Sequence, residues 1–344
     1  MIQQTEIYKL AHFSETTLPI QKIVPDTSSG QPAPTPVFPH LLLGPDSAEG
    51  VTVLEIGHGE VLLALTDFSI PMTDNPYDFG RIASAQALSR IYAMGGVPLL
   101  VAPVLGWPAE GLPTEWAGQV LEGSHQLCAE AGVPLASGHQ IESPEPYLGL
   151  SVTGKVRLNH LKQLSTATAG NCLYLTKPLG TGILSTAYRQ ERLRPESVEF
   201  LLNQMTCLNT FGVFLGKLPY VKALAPVTDA GLLGALIDLA ESSSLSAEID
   251  FHKMPVLPET DAWLAEGCIP NDTYRNAERF AGKTNELSDS QRFLLADPQA
   301  NGGLLIAIDS GSATEFEQVA FENKLHLKSF GHLIEIGEKA VYVR

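Results

Sequence analysis

The chain has 344 residues, 44% of them hydrophobic and 30 of them glycine, which fits two globular α/β domains and excludes a disordered or fibrous protein. Its formal net charge is −16 at pH 7, which argues against nucleic acid and anionic membranes as partners, because both attract lysine and arginine. The sequence shows no signal peptide and no apolar run of the roughly 20 residues that cross a bilayer, so we predict a cytoplasmic protein.

The cysteine pattern points away from metal and disulfide chemistry. Four cysteines are widely spaced, without a CxxC pair: Cys128, Cys172, Cys207 and Cys268. We therefore predict buried thiols in a reducing compartment.

Composition and periodicity divide the chain into three segments. Residues 1–36 are polar and rich in Pro, Ser and Thr, which is typical of a flexible arm. A first domain is predicted over residues 37–160. Its opening runs, Val51–Ile56 and Val61–Thr66, alternate around a Gly-containing turn and indicate a β-hairpin. A second domain is predicted over residues 161–344.

The stretch from Thr66 to Gly96 reads TDFSIPMTDNPYDFGRIASAQALSRIYAMGG and predicts a strand end, a loop and a helix. Asp78 lies where an N-cap or first-turn acid stabilises exposed N–H groups, and Gly95 ends the helix. The side chains that recur at helical spacing are predicted to pack inward: Ile82, Ala85, Leu88 or Ser89, and Tyr92. Acids beside a helix N-terminus are typical of nucleotide and metal sites, but an Asp-rich surface turn is the simpler interpretation of this stretch alone.

The remaining chain alternates between strand and helix signals. In the first domain, we predict strands at Leu99–Leu105 and Leu148–Val156 and a helix at Pro113–Ala131. The second domain adds predicted strands at Cys172–Thr176, Leu304–Ile308 and Ala340–Val343, and helices at Val198–Leu208, Ala230–Ala240 and 313–323. The turn at 180–182 opens a further helix whose free N–H groups are a candidate anion site, although close backbone packing explains such a turn as often.

Five segments of this sequence resemble the selenophosphate synthetase (selenide, water dikinase) family, within the aminoimidazole ribonucleotide synthetase-like superfamily. They are the TDF…YAMGG stretch, SGHQIESPEP (137–146), KPLGTG (177–182), VT (227–228) with GLLG (231–234), and DPQANGG (297–303). The similarity spans about residues 40–344. The resemblance implies an α+β fold of two similar domains, each an α/β layer, and a homodimer formed through first-domain strands. It also implies ATP as a ligand and phosphorylation of selenide, with release of AMP and phosphate.

The resemblance further implies reactive groups that this chain lacks at the matching positions. The family pattern has a Gly-rich N-terminal segment with a reactive Cys or selenocysteine and a Lys, whereas here no cysteine precedes Cys128. Three metal-binding aspartates fall on Gly50, Arg90 and Pro226, so we assign no catalytic residue and do not expect Mg²⁺ held by carboxylates. Three nearby acids are candidate replacements that would rebuild a metal site: Asp46, Glu49 and Asp229.

Five residues remain as candidates for nucleotide binding: Asp67, Arg90, Ser137, Gly138 and His139. By the resemblance, Asp67 matches an acid near the nucleotide, and the turn at 137–139 matches a Gly-Gly-His turn that contacts ATP from the partner subunit. Arg90 would supply positive charge to phosphate, or it is a salt-bridged helix residue. His139 is equally consistent with a structural role.

Two second-domain segments also match the family pattern. Thr273, Arg275 and Asn276 form a T-x-R-N run, preceded by Asn-Asp where the family has Gly-Gly. We interpret Asp297-Pro-Gln299 and the following glycine pair as turns that maintain the fold.

The departures favour a selenophosphate synthetase-like protein in which the dikinase reaction is lost or altered and which still binds a nucleotide or acts as a regulatory partner. The alternative is an active ATP-dependent phosphotransferase that uses selenide or another small acceptor. A purely structural interaction protein is the third interpretation. Nucleotide binding separates the first from the third, and turnover separates the first from the second.

Overall fold

The computed structural model describes residues 38–45, 47–108 and 110–344. Within them, the chain forms two α/β layers, each built on a six-stranded sheet. The predicted α+β class is therefore confirmed. The predicted arm at residues 1–36 and the candidate acid Asp46 lie outside the described residues.

The first sheet has the strand order β1-β2-β3-β6-β4-β5. Its strands are β1 (Leu41–Leu43), β2 (Thr52–Gly57), β3 (Glu60–Ser69), β4 (Val97–Trp107), β5 (His139–Glu142) and β6 (Tyr147–Arg157). The predicted hairpin is confirmed, since β2 and β3 pair antiparallel across the turn at 57–60. Sequence analysis missed β5, an exposed edge strand that runs parallel to β4.

Helix α1 (Pro76–Ala93) ends where the sequence predicts, and Asp78 is an acid of its first turn, but its N-cap is Asn75. The Asn75 side chain accepts hydrogen bonds from the N–H groups of Tyr77 and Asp78, and Gly95 takes a positive φ of 72° just after the helix. The expectation of a single inward face was too narrow, because 14 of the 18 residues are buried. The helix lies between the first sheet and the second domain, so nearly every side of it is covered.

Helix α2 (Thr114–Glu130) packs beside α1 on the same face of the first sheet. It lies within the predicted range 113–131 and is followed by Gly132 in a left-handed conformation. Together α1 and α2 leave the other face of the sheet without a covering element in the described residues.

The second sheet has the order β12-β9-β11-β7-β10-β8. Its strands are β7 (Cys172–Leu175), β8 (Val221–Pro226), β9 (Leu245–Ile249), β10 (Leu304–Ile308), β11 (Gly331–Glu335) and β12 (Val341–Val343). Alternate side chains of β7 enter separate cores: Leu173 and Leu175 face one cluster, whereas Tyr174 contacts Phe316 in another. This sheet is therefore buried on both faces.

Eight helices belong to the second layer: α3 (Thr181–Arg189), α4 (Pro195–Thr206), α5 (Phe211–Gly216), α6 (Gly231–Ser242), α7 (Thr260–Ala265), α8 (Asn271–Phe280), α9 (Asp289–Leu295) and α10 (Ala313–Glu322). The sequence predicted α3, α4, α6 and α10. The sequence missed the short helices α5, α7 and α9 and strands β8, β9 and β11 because their apolar runs are too short to show a period. It also missed α8, most of whose residues are polar.

The segment that joins the layers is anchored by a buried lysine. Lys162 Nζ donates to the carbonyl oxygens of Leu218 at 2.9 Å and Val221 at 2.7 Å. Burial, followed by the charge of Lys222, lowers the pKa of Lys162 to about 8. The domain boundary predicted near residue 161 stays a prediction.

Two other expectations can be compared with the fold. None of the helices in the described part of the chain combines the length and apolarity of a membrane span.

All four cysteines are free thiols, but the prediction that they are buried is wrong for two of them, since Cys207 is exposed and Cys172 is half-buried. Cys207 follows α4 at the surface, where no core covers it.

Candidate functional site between the two layers

Asp67 lies on the face of β3 that points toward α1. Its neighbours Thr66 and Phe68 are exposed on the opposite face, as the alternation of a strand requires. One carboxylate oxygen, Oδ1, is 3.4 Å from Nη2 of Arg90, and the other, Oδ2, accepts a hydrogen bond from Nε2 of Gln86 at 3.4 Å. Two residues one helical turn apart on α1 therefore hold the two oxygens of Asp67.

Gly50 faces the same guanidinium group. It has a φ of +63°, and a Cβ atom placed on it would lie 3.3 Å from Arg90 Nη1. An aspartate at this position would crowd Arg90 and would also occupy a backbone conformation that side chains rarely adopt. Glycine and arginine at these two positions therefore fit one another.

Pro226 and Asp229, at the end of β8 and in the loop after it, are the part of the second layer that lies beside Arg90. Pro226 ends β8 and lines a cavity together with Arg90, Glu49, Thr228 and Asp238. Burial, followed by the charges of Asp67 and Asp272, raises the pKa of Asp229 to about 6, although Arg90 opposes the shift. Gly50 and Pro226, which lie far apart in sequence, thus both come close to Arg90 between the layers.

Glu49 is already engaged in holding the chain together. Its Oε1 accepts a hydrogen bond from the Leu164 N–H at 3.0 Å, and Oε2 contacts the Ser47 hydroxyl. The neighbouring carboxyl of Asp238 also lines the cavity, and burial is the main reason that its pKa is raised to about 6. The sequence did not single out Asp238, which lies within the apolar run of α6.

The turn at 137–139 lies away from Asp67 in the same chain. His139 pairs with Val104 at the sheet edge, three strands from β3, and both lie on the exposed face of the sheet. Gly138 is required by close packing, because a Cβ there would be 2.5 Å from the Pro103 carbonyl oxygen. The described chain therefore does not join Ser137, Gly138 and His139 to the Asp67–Arg90 pair.

The T-x-R-N run forms the first half of α8. The Asn276 side chain donates to the carbonyl oxygens of Asp229 at 2.7 Å and Ala296 at 3.1 Å, so it ties α8 to the loop after β8. Asp272 and Arg275 form an ion pair at 2.5 Å across one turn.

Of the two interpretations of the turn at 180–182, the structure supports close packing, because its N–H groups are not free to hold an anion. Gln299 Oε1 accepts from the N–H groups of Gly180 at 3.0 Å and Thr181 at 3.2 Å. Asp297 Oδ2 accepts from the Gly182 N–H at 3.1 Å. The side chains of the DPQ segment thus cap α3 internally and leave no room for an external anion.

Comparison with known proteins places this geometry in a family. Residues 48–156 match the family model of the AIR synthase related protein N-terminal domain, and residues 168–344 match that of the C-terminal domain. "Selenide, water dikinase" from Pseudomonas putida is 48% identical over 305 residues, covering 89% of each chain. The protein of the same name from Aeromonas hydrophila is 44% identical over 295 residues, covering 86% of each chain.

The chain belongs to the selenide, water dikinase family. Solved structures show the same fold at lower identity. Thiamine-monophosphate kinase from Stenotrophomonas maltophilia superposes with a TM-score of 0.66 at 19% identity, covering 89% of this chain and 91% of that one. The hydrogenase maturation protein HypE in complex with ATP superposes with a TM-score of 0.64 at 16% identity, covering 82% and 81%.

In this member of the selenide, water dikinase family, the donor set between the layers does not fit a divalent cation. Among the residues that the structure describes, no group of three or more His, Cys, Asp or Glu side chains is arranged to hold a metal ion. Gly50 and Pro226 offer no side-chain ligand, and Asp67 is already paired with Arg90. Glu49 is engaged with the Leu164 N–H, and the described residues do not group Glu49 or Asp229 with two further ligands, so their role as replacement metal ligands stays a prediction.

Proposed function

We propose that this protein is an ATP-dependent phosphotransferase that acts on selenide or another small acceptor. Its identity of 44–48% with selenide, water dikinases supports this proposal and ranks it above a loss of the reaction. The observation that carries the mechanism is the Arg90–Asp67 pair between the layers, where Arg90 also lines a cavity.

Arg90 is proposed to supply the positive charge that phosphate needs. Its Nη2 faces Asp67, its Nη1 lies next to the backbone of Gly50, and its buried Nε has no partner within the described residues. A guanidinium group keeps its charge at all physiological pH values and binds phosphate oxygens through two parallel N–H groups. Asp67 holds the group in place, and the guanidinium also lines the cavity between the layers, where a phosphate can approach it.

Replacing Arg90 tests the proposal directly. A charge-assisted hydrogen bond contributes about 1.5–3 kcal/mol, so Arg90→Ala should weaken ATP binding by about 10- to 100-fold in calorimetry. It should also slow selenide-dependent release of AMP. Arg81→Ala is the matched control, because Arg81 lies on the same helix and pairs with Glu130 away from the site, at 3.2 Å. Equal ATP affinity in wild type and Arg90→Ala would refute the role of Arg90.

A second candidate is nucleotide binding without turnover. The replacement of three family aspartates by Gly50, Arg90 and Pro226 favours it, as does the absence of a cysteine before Cys128. In that case ATP binds weakly, Mg²⁺ improves the affinity little, and no AMP appears with selenide. Steady AMP release that depends on selenide selects the phosphotransferase instead.

We also propose that two copies pair through the uncovered face of the first sheet. This face carries large apolar side chains that are 37–52% exposed: Leu54, Phe68, Leu100 and Ile141. His139 lies on the same face, so we propose that it contacts a nucleotide bound by the second copy. A site shared between copies is consistent with the separation of His139 from Asp67 within one chain.

A further inference from the structure

The geometry points to Asn301 as a positioning residue that orients the side chain of Gln86. Through Gln86 it fixes the position of the Asp67 carboxylate, which in turn holds Arg90. This inference rests on the proposed function of the Asp67–Arg90 site. Asn301 belongs to the DPQANGG segment of the second domain, 215 residues from Gln86 in sequence. The sequence by itself indicates only that residues 297–303 form turns that maintain the fold.

Gln86 is a buried bridge between Asn301 and Asp67. Its Oε1 accepts a hydrogen bond from the Asn301 backbone N–H at 3.3 Å, and its Nε2 donates to Asp67 Oδ2 at 3.4 Å. The two ends of an amide are not equivalent, because only the oxygen accepts and only the nitrogen donates. The Asn301 N–H therefore selects the orientation in which Gln86 presents a donor to the Asp67 carboxylate. In the flipped orientation, an amide oxygen would face that carboxylate.

Asn301 is itself held rigidly by three other elements. Its Nδ2 donates to the carbonyl oxygens of Met205 at 2.7 Å and Cys207 at 2.8 Å. Its Oδ1 accepts from the Ser89 hydroxyl at 2.7 Å, and its carbonyl oxygen accepts from Lys177 Nζ at 2.9 Å. The N–H, the carbonyl and both side-chain polar atoms of this residue are thus used.

The backbone of Asn301 explains why its N–H reaches α1. The residue has a φ of +48° and is 1% exposed. Asparagine adopts this left-handed conformation more readily than most residues do. The combination of a left-handed backbone and a fully bonded side chain fixes the direction of the N–H toward Gln86. Asp67 is then held on one side by Gln86 and on the other by Arg90.

A double-mutant cycle separates positioning from simple stabilisation. Gln86→Met keeps the length of the side chain but removes the bridge, and it should weaken ATP binding about tenfold, the effect expected for loss of one hydrogen bond to a charged group. Asn301→Gly keeps the left-handed backbone and should weaken binding by a similar factor in the wild type. In the Gln86→Met background, Asn301→Gly should add no further loss of affinity, although it should still lower the melting temperature. Gln126→Met, at an exposed position on α2, is the control.

A ligand-free measurement keeps this inference separate from the proposed function. The side-chain amide signals of Gln86, identified by NMR through their loss in Gln86→Met, should move toward the positions of exposed glutamines in Asn301→Gly. If wild type binds no ATP, the proposed function fails while the amide signals still decide the orientation. If Asn301→Gly does not fold, Gln86→Met alone decides through ATP affinity. Three results would each overturn the role of Asn301. They are unchanged Gln86 amide signals in Asn301→Gly, an unchanged ATP affinity in Gln86→Met, and an equal loss of ATP affinity from Asn301→Gly in the wild type and in Gln86→Met.

Discussion

At the scale of single residues, Asp297 shows how burial changes the chemistry of a carboxyl group. It is fully buried, and it accepts hydrogen bonds from the Gly182 N–H and from Gln299 Nε2. Burial outweighs these bonds and raises the pKa of Asp297 to about 8. The carboxyl group therefore keeps its proton well above the pH at which an exposed aspartate loses it.

This shift predicts a specific pH dependence of stability. Above about pH 4, the unfolded chain has released this proton, whereas the folded chain holds it up to a pKa of about 8. Since the folded state binds more protons, its stability falls as the pH rises from about 4 to about 8. Asp297→Asn should remove this dependence, so that its stability relative to wild type improves by at least about 1 kcal/mol between pH 5 and pH 8.

Urea unfolding at several pH values measures the effect. Asp261→Asn, at an exposed position in α7, is the control and should follow the wild-type curve. A constant offset between Asp297→Asn and wild type across this range would contradict the assignment.

At the scale of elements, two glycines set the distance between α1 and α2. A Cβ atom on Gly80 would lie 1.9 Å from the Val120 carbonyl oxygen, and one on Gly123 would lie 1.9 Å from that of Tyr77. Both clashes are with backbone, so no side-chain rotation relieves them. The close contact of the helices keeps α1 seated on the sheet, where Gln86 and Arg90 reach Asp67.

Substitution at these glycines should therefore separate the helices. Gly80→Ala should destabilise the protein by about 3 kcal/mol, at the upper end of the cost of overpacking, because two backbones must move apart. Gly118→Ala is the matched control on α2, since nothing lies within 4 Å of its Cβ position. Removing a glycine from an exposed helix position should stabilise by about 0.5–1 kcal/mol. Thermal unfolding of both variants tests the pair, and similar melting temperatures would show that the helices are not tightly spaced.

At the scale of the whole molecule, the two sheets are buried differently. The second sheet is covered on both faces, whereas the first is covered only by α1 and α2 within the described chain. The uncovered face carries Leu54, Phe68, Leu100 and Ile141. Several exposed large apolar side chains on one uncovered sheet face are typical of an interaction surface, and a second copy is the occupant that we propose.

Charge placed on this face should separate the copies. Leu100→Lys should shift the protein from dimer to monomer in sedimentation experiments, because a lysine buried against an apolar surface loses its hydration without gaining a partner. Phe321→Lys, at an exposed position on α10 in the second domain, should leave the dimer intact. A wild-type monomer, or an unchanged dimer in Leu100→Lys, would remove this surface from consideration.

The sequence by itself determined the elements whose signals are local. The β2–β3 hairpin, the end of α1 before Gly95, the first-turn acid Asp78 and strand β10 at Leu304–Ile308 follow from alternation, charge placement and glycine. Family membership followed from motifs that each lie within a short stretch, and the comparisons confirmed it. Sequence reasoning also named Gly50, Arg90 and Pro226, since each matches a position in such a motif.

Only the tertiary structure decided what those residues contact. Packing between distant segments pairs Arg90 with Asp67 beside Gly50 and brings Asp297 to the N-terminus of α3. It also places His139 on the opposite face of the sheet. The bond between Asn301 and Gln86 spans 215 residues, and although each residue lies in a family motif, no local pattern relates the two. Hydrogen bonds and charge pairs of this kind form only after the two layers dock, because docking removes water and brings together groups that local periodicity cannot relate.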